Sequence, residues 1–161
     1  MGFTTADLSD EFGDEVRVAE PLLRDWGGRA SFAGMVETLR VFEDNALVRQ
    51  ALEAPGRGRV LVIDGGGSLR TALVGGNLAA LAHRNGWTGI VVYGCIRDTA
   101  ELAGIPIGIK ALQTVPRKSA KSGAGERGVS VTFAGVTIAP GAHLYADGDG
   151  ILVADRDLLA R

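Results

Sequence analysis

The chain has 161 residues, of which 46% are hydrophobic and 22% are charged, and its formal net charge at pH 7 is −2. This composition is typical of a globular protein, and the length predicts one domain over residues 1–161. Because binding to phosphates requires clustered Lys and Arg, the charge balance argues against a basic protein that coats nucleic acid, and we expect no direct nucleic-acid partner. The single cysteine, Cys95, excludes an internal disulfide.

Residues 1–7 lack the basic and apolar regions of a signal peptide. No apolar run in the chain approaches the length needed to cross a bilayer. We therefore expect a cytoplasmic protein with no membrane partner.

Helix and strand patterns alternate over the first two thirds of the chain. The spacing of apolar residues and the capping residues predict, in order, a helix from Thr4 to about Phe12, a strand over 34–41, a helix over 45–52, a strand over 59–63, a helix over 77–84, and strands over 89–93 and 105–112. The apolar runs at 59–63 and 89–93 are continuous, which is typical of strands covered on both faces.

The last third of the chain has a different pattern. Alternation around the turn Ala134–Gly135 predicts a hairpin over 129–138, and strands are predicted around 143–145 and 151–153. The polar, basic segment 117–127 indicates a mobile loop or an extended crossing. Together these elements predict an α/β fold of layered sheets with helices on the outside.

The sequence Gly75-Gly76-Asn77-Leu78 precedes one predicted helix. Asn77 can cap that helix, and the two glycines leave the first backbone N–H groups unobstructed. A helix N-terminus carries unpaired donors and partial positive charge, so it favours a carboxylate or phosphate. The alternative is an ordinary helix cap that contains glycine, and the motif alone does not distinguish the two.

Arg97 and Asp98 follow a predicted buried strand, at the end where open α/β sheets usually bind ligands. Arg97 offers a planar, permanently charged fork to carboxylate or enolate oxygen. Asp98 can bind a hard cation such as Mg²⁺, which typically takes one or two protein carboxylates and keeps several waters. Alternatively, the two residues form a surface ion pair, with Asp98 as the N-cap of a helix over 99–102.

Two glycine-containing loops give weaker signals. The sequence Asp64-Gly65-Gly66-Gly67-Ser68 resembles the start of a nucleotide-binding loop, but it lacks both the dinucleotide fingerprint and the Gly-Lys-Ser/Thr of a phosphate loop. We expect a tight turn beside the pocket. Asp147–Gly150 matches only part of a calcium loop and is expected to be a turn.

Six segments, in this order and spacing, resemble one known family. They are TTADLSD at 4–10, GMVET at 34–38, VIDGGG at 62–67, GGNLA at 75–79, GIVVYGCIRD at 89–98 and ADGDG at 146–150. The family is the RraA-like family, which groups the regulator of ribonuclease E activity with metal-dependent (class II) 4-hydroxy-4-methyl-2-oxoglutarate aldolases. The resemblance extends over nearly the whole chain.

The resemblance implies a single-domain, layered β/β/α sandwich of the swivelling-domain type, assembled into ring-shaped homotrimers with sites at the subunit boundaries. It assigns Arg97 to substrate, Asp98 to a divalent metal cation (Mg²⁺ or Mn²⁺), and Gly75, Gly76, Asn77 and Leu78 to the substrate carboxylate. Arg97 and Asp98 would then be the catalytic residues.

The function implied is a lyase that acts on short 2-oxo acids, by aldol cleavage to pyruvate and by oxaloacetate decarboxylation through the same enolate. Two departures favour a rival function. The helix-start segment lacks the acidic residue of the aldolases, and they tend to have a C-terminus that continues beyond the position of Arg161 and supplies an acid to the neighbouring subunit. The rival is a non-catalytic trimeric regulator that binds ribonuclease E or an associated RNA helicase.

Overall fold

Four helices and twelve strands build the part of the chain that the structure, a computed structural model, describes, which is residues 2–160. The helices are α1 (Thr5–Phe12), α2 (Ala46–Glu53), α3 (Gly76–Arg84) and α4 (Thr99–Ala103), and a 3-10 turn covers Gly13–Glu15. The strands are β1 (Val16–Val18), β2 (Arg24–Asp25), β3 (Phe32–Arg40), β4 (Val60–Asp64), β5 (Ala72–Val74), β6 (Gly89–Ile96), β7 (Gly108–Thr114), β8 (Glu126–Arg127), β9 (Val131–Phe133), β10 (Val136–Ile138), β11 (His143–Asp147) and β12 (Gly150–Ala154).

The long strand β3 joins two differently built halves of one curled sheet. Its first residues, Phe32–Met35, pair with β11 in antiparallel fashion, and β11 continues to β12 and β1. Its remaining residues, Val36–Arg40, pair in parallel with β4, followed by β6 and β7. Because the sheet curls at β3, the antiparallel half packs against the parallel half, and β9 and β10 form a separate hairpin.

Apolar side chains fill the space between these layers. One core cluster lies between the parallel strands and helices α2, α3 and α4, and includes Leu52, Ile63 and Ile90. A second cluster fills the space between the two halves of the sheet, and a third packs α1 on the far face of β11 and β12. The α/β layered sandwich with external helices is therefore confirmed.

The element boundaries differ from the predictions in a few places. Strand β6 continues to Ile96, so Arg97 follows it directly. Strand β7 begins at Gly108, three residues later than predicted, because the chain turns at Pro106, where the Ile107 amide donates to the Ile105 carbonyl at 2.7 Å. Strands β1, β2, β5 and β8 have two or three residues each, which is too short for a recognisable period.

Candidate functional site

Strands β5 and β6 bring the two predicted halves of the site together. They are parallel neighbours, and Val74 pairs with Ile96 at their carboxyl ends. The next residues are Gly75 on one strand and Arg97 on the other, and the Arg97 amide donates to the Val74 carbonyl at 3.0 Å. The glycine segment and the Arg97–Asp98 pair therefore lie side by side.

Helix α3 begins one residue before the predicted start, at Gly76, so Gly75 and not Asn77 is its N-cap. The expectation that Asn77 caps the helix is wrong, because Asn77 already lies within the first turn. The Gly76 amide donates to Asp98 Oδ2 at 2.8 Å. Among residues 2–160, nothing accepts a hydrogen bond from the amides of Asn77 or Leu78. Two donors with the partial positive charge of a helix N-terminus thus stay available.

Asp98 faces helix α3 although it begins helix α4. It occupies the N-cap position of α4 in a left-handed conformation, φ 64° and ψ 47°, which is uncommon for a residue other than glycine. Its side chain does not cap α4 and instead accepts the Gly76 hydrogen bond. The prediction that Asp98 is the N-cap of α4 is therefore confirmed for its backbone position, but its side chain makes no capping hydrogen bond. Its second oxygen, Oδ1, has no hydrogen-bond partner in the described part of the chain.

Arg97 is half-buried beside Gly75. A Cβ added to Gly75 would lie 2.6 Å from Asp98 Oδ2 and 3.2 Å from Arg97 Cγ, so glycine is needed for this close approach. The Arg97 guanidinium donates to the Pro116 carbonyl at 3.3 Å, and no carboxylate in the described chain pairs with it. The predicted surface ion pair is absent from these residues, and most donors of the guanidinium fork remain free.

These groups border one cavity of about 320 Å³, the size of a small-molecule site. Four cationic side chains and two carboxylates line it, so its charge favours a small anion. The lining residues are Asn45, Ala46, Arg49, Gln50, Glu53, Ala72, Gly75, Asn77, Leu78, Arg97, Asp98, Lys118, Ser119 and Lys121.

Asn45 contributes an unpaired polar atom that the sequence patterns did not reveal. It is the N-cap of α2, and its Nδ2 donates to the Leu73 carbonyl at 3.1 Å. Its Oδ1 is buried and has no hydrogen-bond partner in the described part of the chain. Since unpaired buried acceptors are costly, this oxygen is a candidate acceptor for a bound ligand.

In the basic segment 117–127, residues 117–123 are extended and held in place by hydrogen bonds. This is the second of the two predicted alternatives, and we call residues 117–123 the crossing. The Asn45 amide donates to the Ala120 carbonyl at 2.9 Å, and the Ala72 amide to Arg117 at 2.8 Å. Ser119 Oγ donates to the Ala72 carbonyl at 2.7 Å. The crossing thereby holds Lys118 and Lys121 at the cavity wall.

Asp44 anchors this crossing from the start of α2. Its carboxylate accepts hydrogen bonds from the amides of Ala46, Ser122 and Gly123 and from the Ser122 hydroxyl. Burial by itself would raise the pKa of Asp44, but these donors outweigh it and lower the pKa to about 2. The carboxylate is therefore ionised at neutral pH and positions the cavity wall.

The donor set around Asp98 fits a hard divalent cation held by few protein ligands. Mg²⁺ commonly uses one or two carboxylates and takes its other ligands from water and substrate. Asp98 Oδ1 is free, and Asn45, whose buried Oδ1 has no partner in the described residues, lines the same cavity. Residues 2–160 contain no cluster of three or more His, Cys, Asp or Glu side chains, so a zinc-type site built from protein ligands does not fit them.

The remaining sequence candidates have structural roles. Burial raises the pKa of the Cys95 thiol, which disfavours a reactive thiolate. The glycine loop folds back on β6, where the amides of Gly65 and Gly67 donate to the Tyr93 carbonyl. Its expected position beside the pocket is wrong, because Gly66 borders a different cavity. Asp147 accepts hydrogen bonds from Thr5 and, within the β11–β12 turn, from the Asp149 amide.

Comparison with known proteins defines the class to which this fold and site belong. The model of the RraA-like family, described as Aldolase/RraA, matches residues 5–153, and the chain belongs to this family. A protein of Alkalilimnicola ehrlichii named "Putative 4-hydroxy-4-methyl-2-oxoglutarate aldolase" is 60% identical, over 99% of both chains. The structure matches the RNA-processing inhibitor RraA from Thermus thermophilus with a TM-score of 0.94 and 52% identity, over 99% of this chain and 98% of the other.

A third relative has another name. A protein from Geobacillus kaustophilus, named S-adenosylmethionine: 2-dimethylmenaquinone methyltransferase, has a TM-score of 0.97 and 50% identity over 99% of both chains. Relatives with this one fold thus carry names for three different activities, so the function of this chain has to be inferred from the residues of its site. None of the helices in residues 2–160 is long and apolar enough to cross a membrane. Localisation stays a prediction.

Proposed function

We propose that this protein is a divalent-metal-dependent lyase for short 2-oxo acids. It would cleave 4-hydroxy-4-methyl-2-oxoglutarate to pyruvate and would also decarboxylate oxaloacetate. The observation that carries the proposal is the shared cavity, which is lined by Asp98 with one free carboxylate oxygen, by Arg97 with no carboxylate partner among residues 2–160, and by Asn77 and Leu78 with free backbone amides. The aldolase names of relatives such as the Alkalilimnicola protein support it.

The α3 N-terminus and Arg97 would bind two different groups of the substrate. The carboxylate of the 2-oxo acid would accept hydrogen bonds from the free amides of Asn77 and Leu78, because helix N-termini favour anions. Arg97 would donate to the keto oxygen and stabilise the negative charge that develops there as the carbon–carbon bond breaks. The cationic groups of the cavity wall, including Lys118 and Lys121, suit a substrate with a second carboxylate.

Asp98 would hold the divalent cation, Mg²⁺ or Mn²⁺, through the oxygen that does not bind Gly76. A cation bound there would polarise the carbonyl of a 2-oxo acid as a Lewis acid. Both reactions leave an electron pair on the carbon next to that carbonyl. The charge spreads onto the oxygen beside Arg97, so one site can serve both reactions.

An assay of pyruvate release tests this proposal. The wild-type protein should release pyruvate from either substrate only with Mg²⁺ or Mn²⁺. Asp98→Asn keeps an acceptor for the Gly76 amide but removes the charge, and should lower the rate by at least about 100-fold, since a bound cation contributes several kcal/mol. Asp10→Asn, on the exposed face of α1, is the matched control. Metal-independent activity, or full activity in Asp98→Asn, would contradict the proposal.

A second candidate function is a non-catalytic regulator that binds ribonuclease E or an associated RNA helicase. The name of the Thermus relative, an RNA-processing inhibitor with 52% identity, favours it. A pull-down and a cleavage assay with ribonuclease E test this candidate. If Asp98→Asn abolishes pyruvate release but keeps full inhibition, the two functions use different surfaces. No binding and no inhibition would remove the second candidate.

A further inference from the structure

Glu101, like Asp98, faces the start of helix α3 although it belongs to α4. The order Asp98-Thr99-Ala100-Glu101 has the spacing of a capping box, in which the fourth residue normally bonds back to the amide of the first. Here the carboxylate of Asp98 binds the Gly76 amide instead. The exposed carboxylate of Glu101 has no hydrogen-bond or ion-pair partner among residues 2–160.

The Glu101 carboxylate occupies the space where residue 76 would otherwise carry its side chain. A Cβ added to Gly76 would overlap the Glu101 carboxylate group, so the two residues are in direct contact. Gly76 lies between Gly75 and Asn77, which both line the cavity. The Glu101 carboxylate therefore lies where the side chain of a residue in the first turn of α3 would lie.

Aldol cleavage requires a proton acceptor that the residues discussed so far do not supply. Arg97 is permanently protonated and the amide of Asn45 takes up no proton. Asp98 accepts the Gly76 hydrogen bond and is assigned to the cation. Glu53 has Arg49 as an ion-pair partner at 4.0 Å. Glu101 does not itself line the cavity, but it contacts Gly76 between two lining residues and has no partner in the described chain.

We infer that Glu101 is the proton-transfer residue of aldol cleavage and acts through one water molecule between its carboxylate and the cavity. This inference rests on the proposed function. The proton of the substrate hydroxyl passes through the water to Glu101, and the O–H electron pair forms the new carbonyl. The adjacent carbon–carbon bond breaks, and its electron pair becomes the pyruvate enolate. Glu101 then returns the proton to the enolate carbon, so the residue ends unchanged.

Decarboxylation makes a different demand on the same residue. Oxaloacetate loses CO₂ without removal of a hydroxyl proton, and only the later protonation of the enolate needs a donor, which solvent can supply. Loss of Glu101 therefore affects aldol cleavage much more than decarboxylation. A purely structural role for Glu101 would lower both reactions together.

The first test compares the two activities of one preparation with saturating Mg²⁺. Glu101→Gln should lower the ratio of aldol cleavage to decarboxylation by about 100-fold, in line with the usual contribution of general acid–base groups. Glu11→Gln, which removes an exposed carboxylate on α1, is the matched control and should leave the ratio unchanged. An unchanged ratio in Glu101→Gln, whether both activities fall or neither does, would overturn the inference.

The second test moves the carboxylate to the neighbouring helix. In Gly76→Asp/Glu101→Ala, the shorter residue 101 leaves room for an aspartate at the start of α3, a position that favours negative charge. This double variant should recover at least a tenth of the wild-type ratio, whereas Gly76→Asn/Glu101→Ala should not. Equal ratios in the two double variants would also overturn the inference. If the wild-type protein has neither activity, the proposed function fails, and this inference fails with it.

Discussion

Asp98 combines a strained backbone with a side chain that serves a neighbouring helix. A left-handed conformation costs a residue with a Cβ about 1 kcal/mol or more, so the surrounding structure must stabilise it. The hydrogen bond from the Gly76 amide supplies part of that stabilisation. Because strained residues concentrate at functional sites, the conformation of Asp98 supports its assignment as the residue that binds the cation.

Arg97 carries the most specific prediction at the scale of single residues. Lysine keeps the positive charge but lacks the planar guanidinium fork. The Arg97→Lys variant should therefore contact the 2-oxo acid through a single ammonium group and not through a bidentate fork. We expect kcat for aldol cleavage to fall about 100-fold, the usual effect of removing a donor to a developing oxyanion. The midpoint of thermal unfolding should change little, because within residues 2–160 the wild-type guanidinium donates only to the Pro116 carbonyl. A loss confined to KM would contradict the role given to Arg97.

Gly75 tests whether close packing sets the geometry of the site. In Gly75→Ala the new methyl group would lie 2.6 Å from Asp98 Oδ2 and would displace that carboxylate. We expect the affinity for Mg²⁺, measured by titration calorimetry, to fall at least about tenfold, since displaced ligand groups bind metal poorly. Gly104→Ala is the matched control, because its methyl group would make an ordinary contact of 3.6 Å. Equal affinities in the two variants would contradict this explanation.

At the scale of elements, part of the cavity wall comes from residues 117–123, whose sequence has neither a helical nor a strand-like pattern of apolar residues. Residues 117–123 are held by backbone hydrogen bonds to the residues before α2 and to β5, and by the carboxylate of Asp44. The two lysines of the cavity wall are exposed, so the backbone of this crossing rather than side-chain packing determines their position. We therefore expect the proposed anionic substrate to bind only when the crossing is rigid.

Asp44→Asn tests this anchor. Because the folded pKa of Asp44, about 2, lies below the ordinary value of 3.8, its carboxylate stabilises the fold fully above pH 4, and this contribution is lost as the pH falls towards 2. At pH 7 we expect the variant to lose on the order of 2 kcal/mol in the free energy of unfolding by urea, since its hydrogen bonds are charge-assisted. The difference should shrink between pH 4 and pH 2.

The control for this experiment is Asp149→Ala, which removes the exposed carboxylate of the β11–β12 turn. It should leave the free energy of unfolding unchanged at every pH. Asp44→Asn should also raise KM for oxaloacetate, because the crossing that carries the lysines becomes less rigid. A pH-independent difference in stability would show that the carboxylate charge is not the cause.

At the scale of the whole molecule, the sequence predicted the parts of the fold that depend on local patterns. The apolar runs of β4 and β6 and the turn chemistry before α3 indicated both the layered α/β fold and the two halves of the site. It did not predict that β3 joins both halves of the sheet, because that depends on partners distant in the chain. The sequence indicated Asp98 as a metal ligand, but the contacts of Asp98 and Glu101 with the start of α3 were not predicted, since their capping-box spacing suits their own helix equally well.

The homotrimer stays a prediction from the family resemblance, and the surface near the site offers a test. Phe42 and Leu69 have 56% and 58% of their surface exposed. They follow β3 and β4, which are parallel to β6, so they lie at the same edge of the sheet as the cavity. Large contiguous apolar patches mark contact surfaces, and we expect these two side chains to belong to one. Because the resemblance implies sites at the subunit boundaries, we expect the subunit that covers these side chains to reach the cavity as well.

We therefore expect sedimentation to give about 50 kDa, which is three copies of the 16.7 kDa chain. Phe42→Ser should give monomers and lose pyruvate release, because an open cavity admits water that weakens the electrostatic contacts with the substrate. Val18→Ser is the matched control, since Val18 is equally exposed at 59% but lies on β1, at the opposite end of the sheet. A monomeric wild-type protein with full activity would show that one chain forms the whole site, and Gly75, Arg97 and Asp98 would then act without a neighbouring subunit.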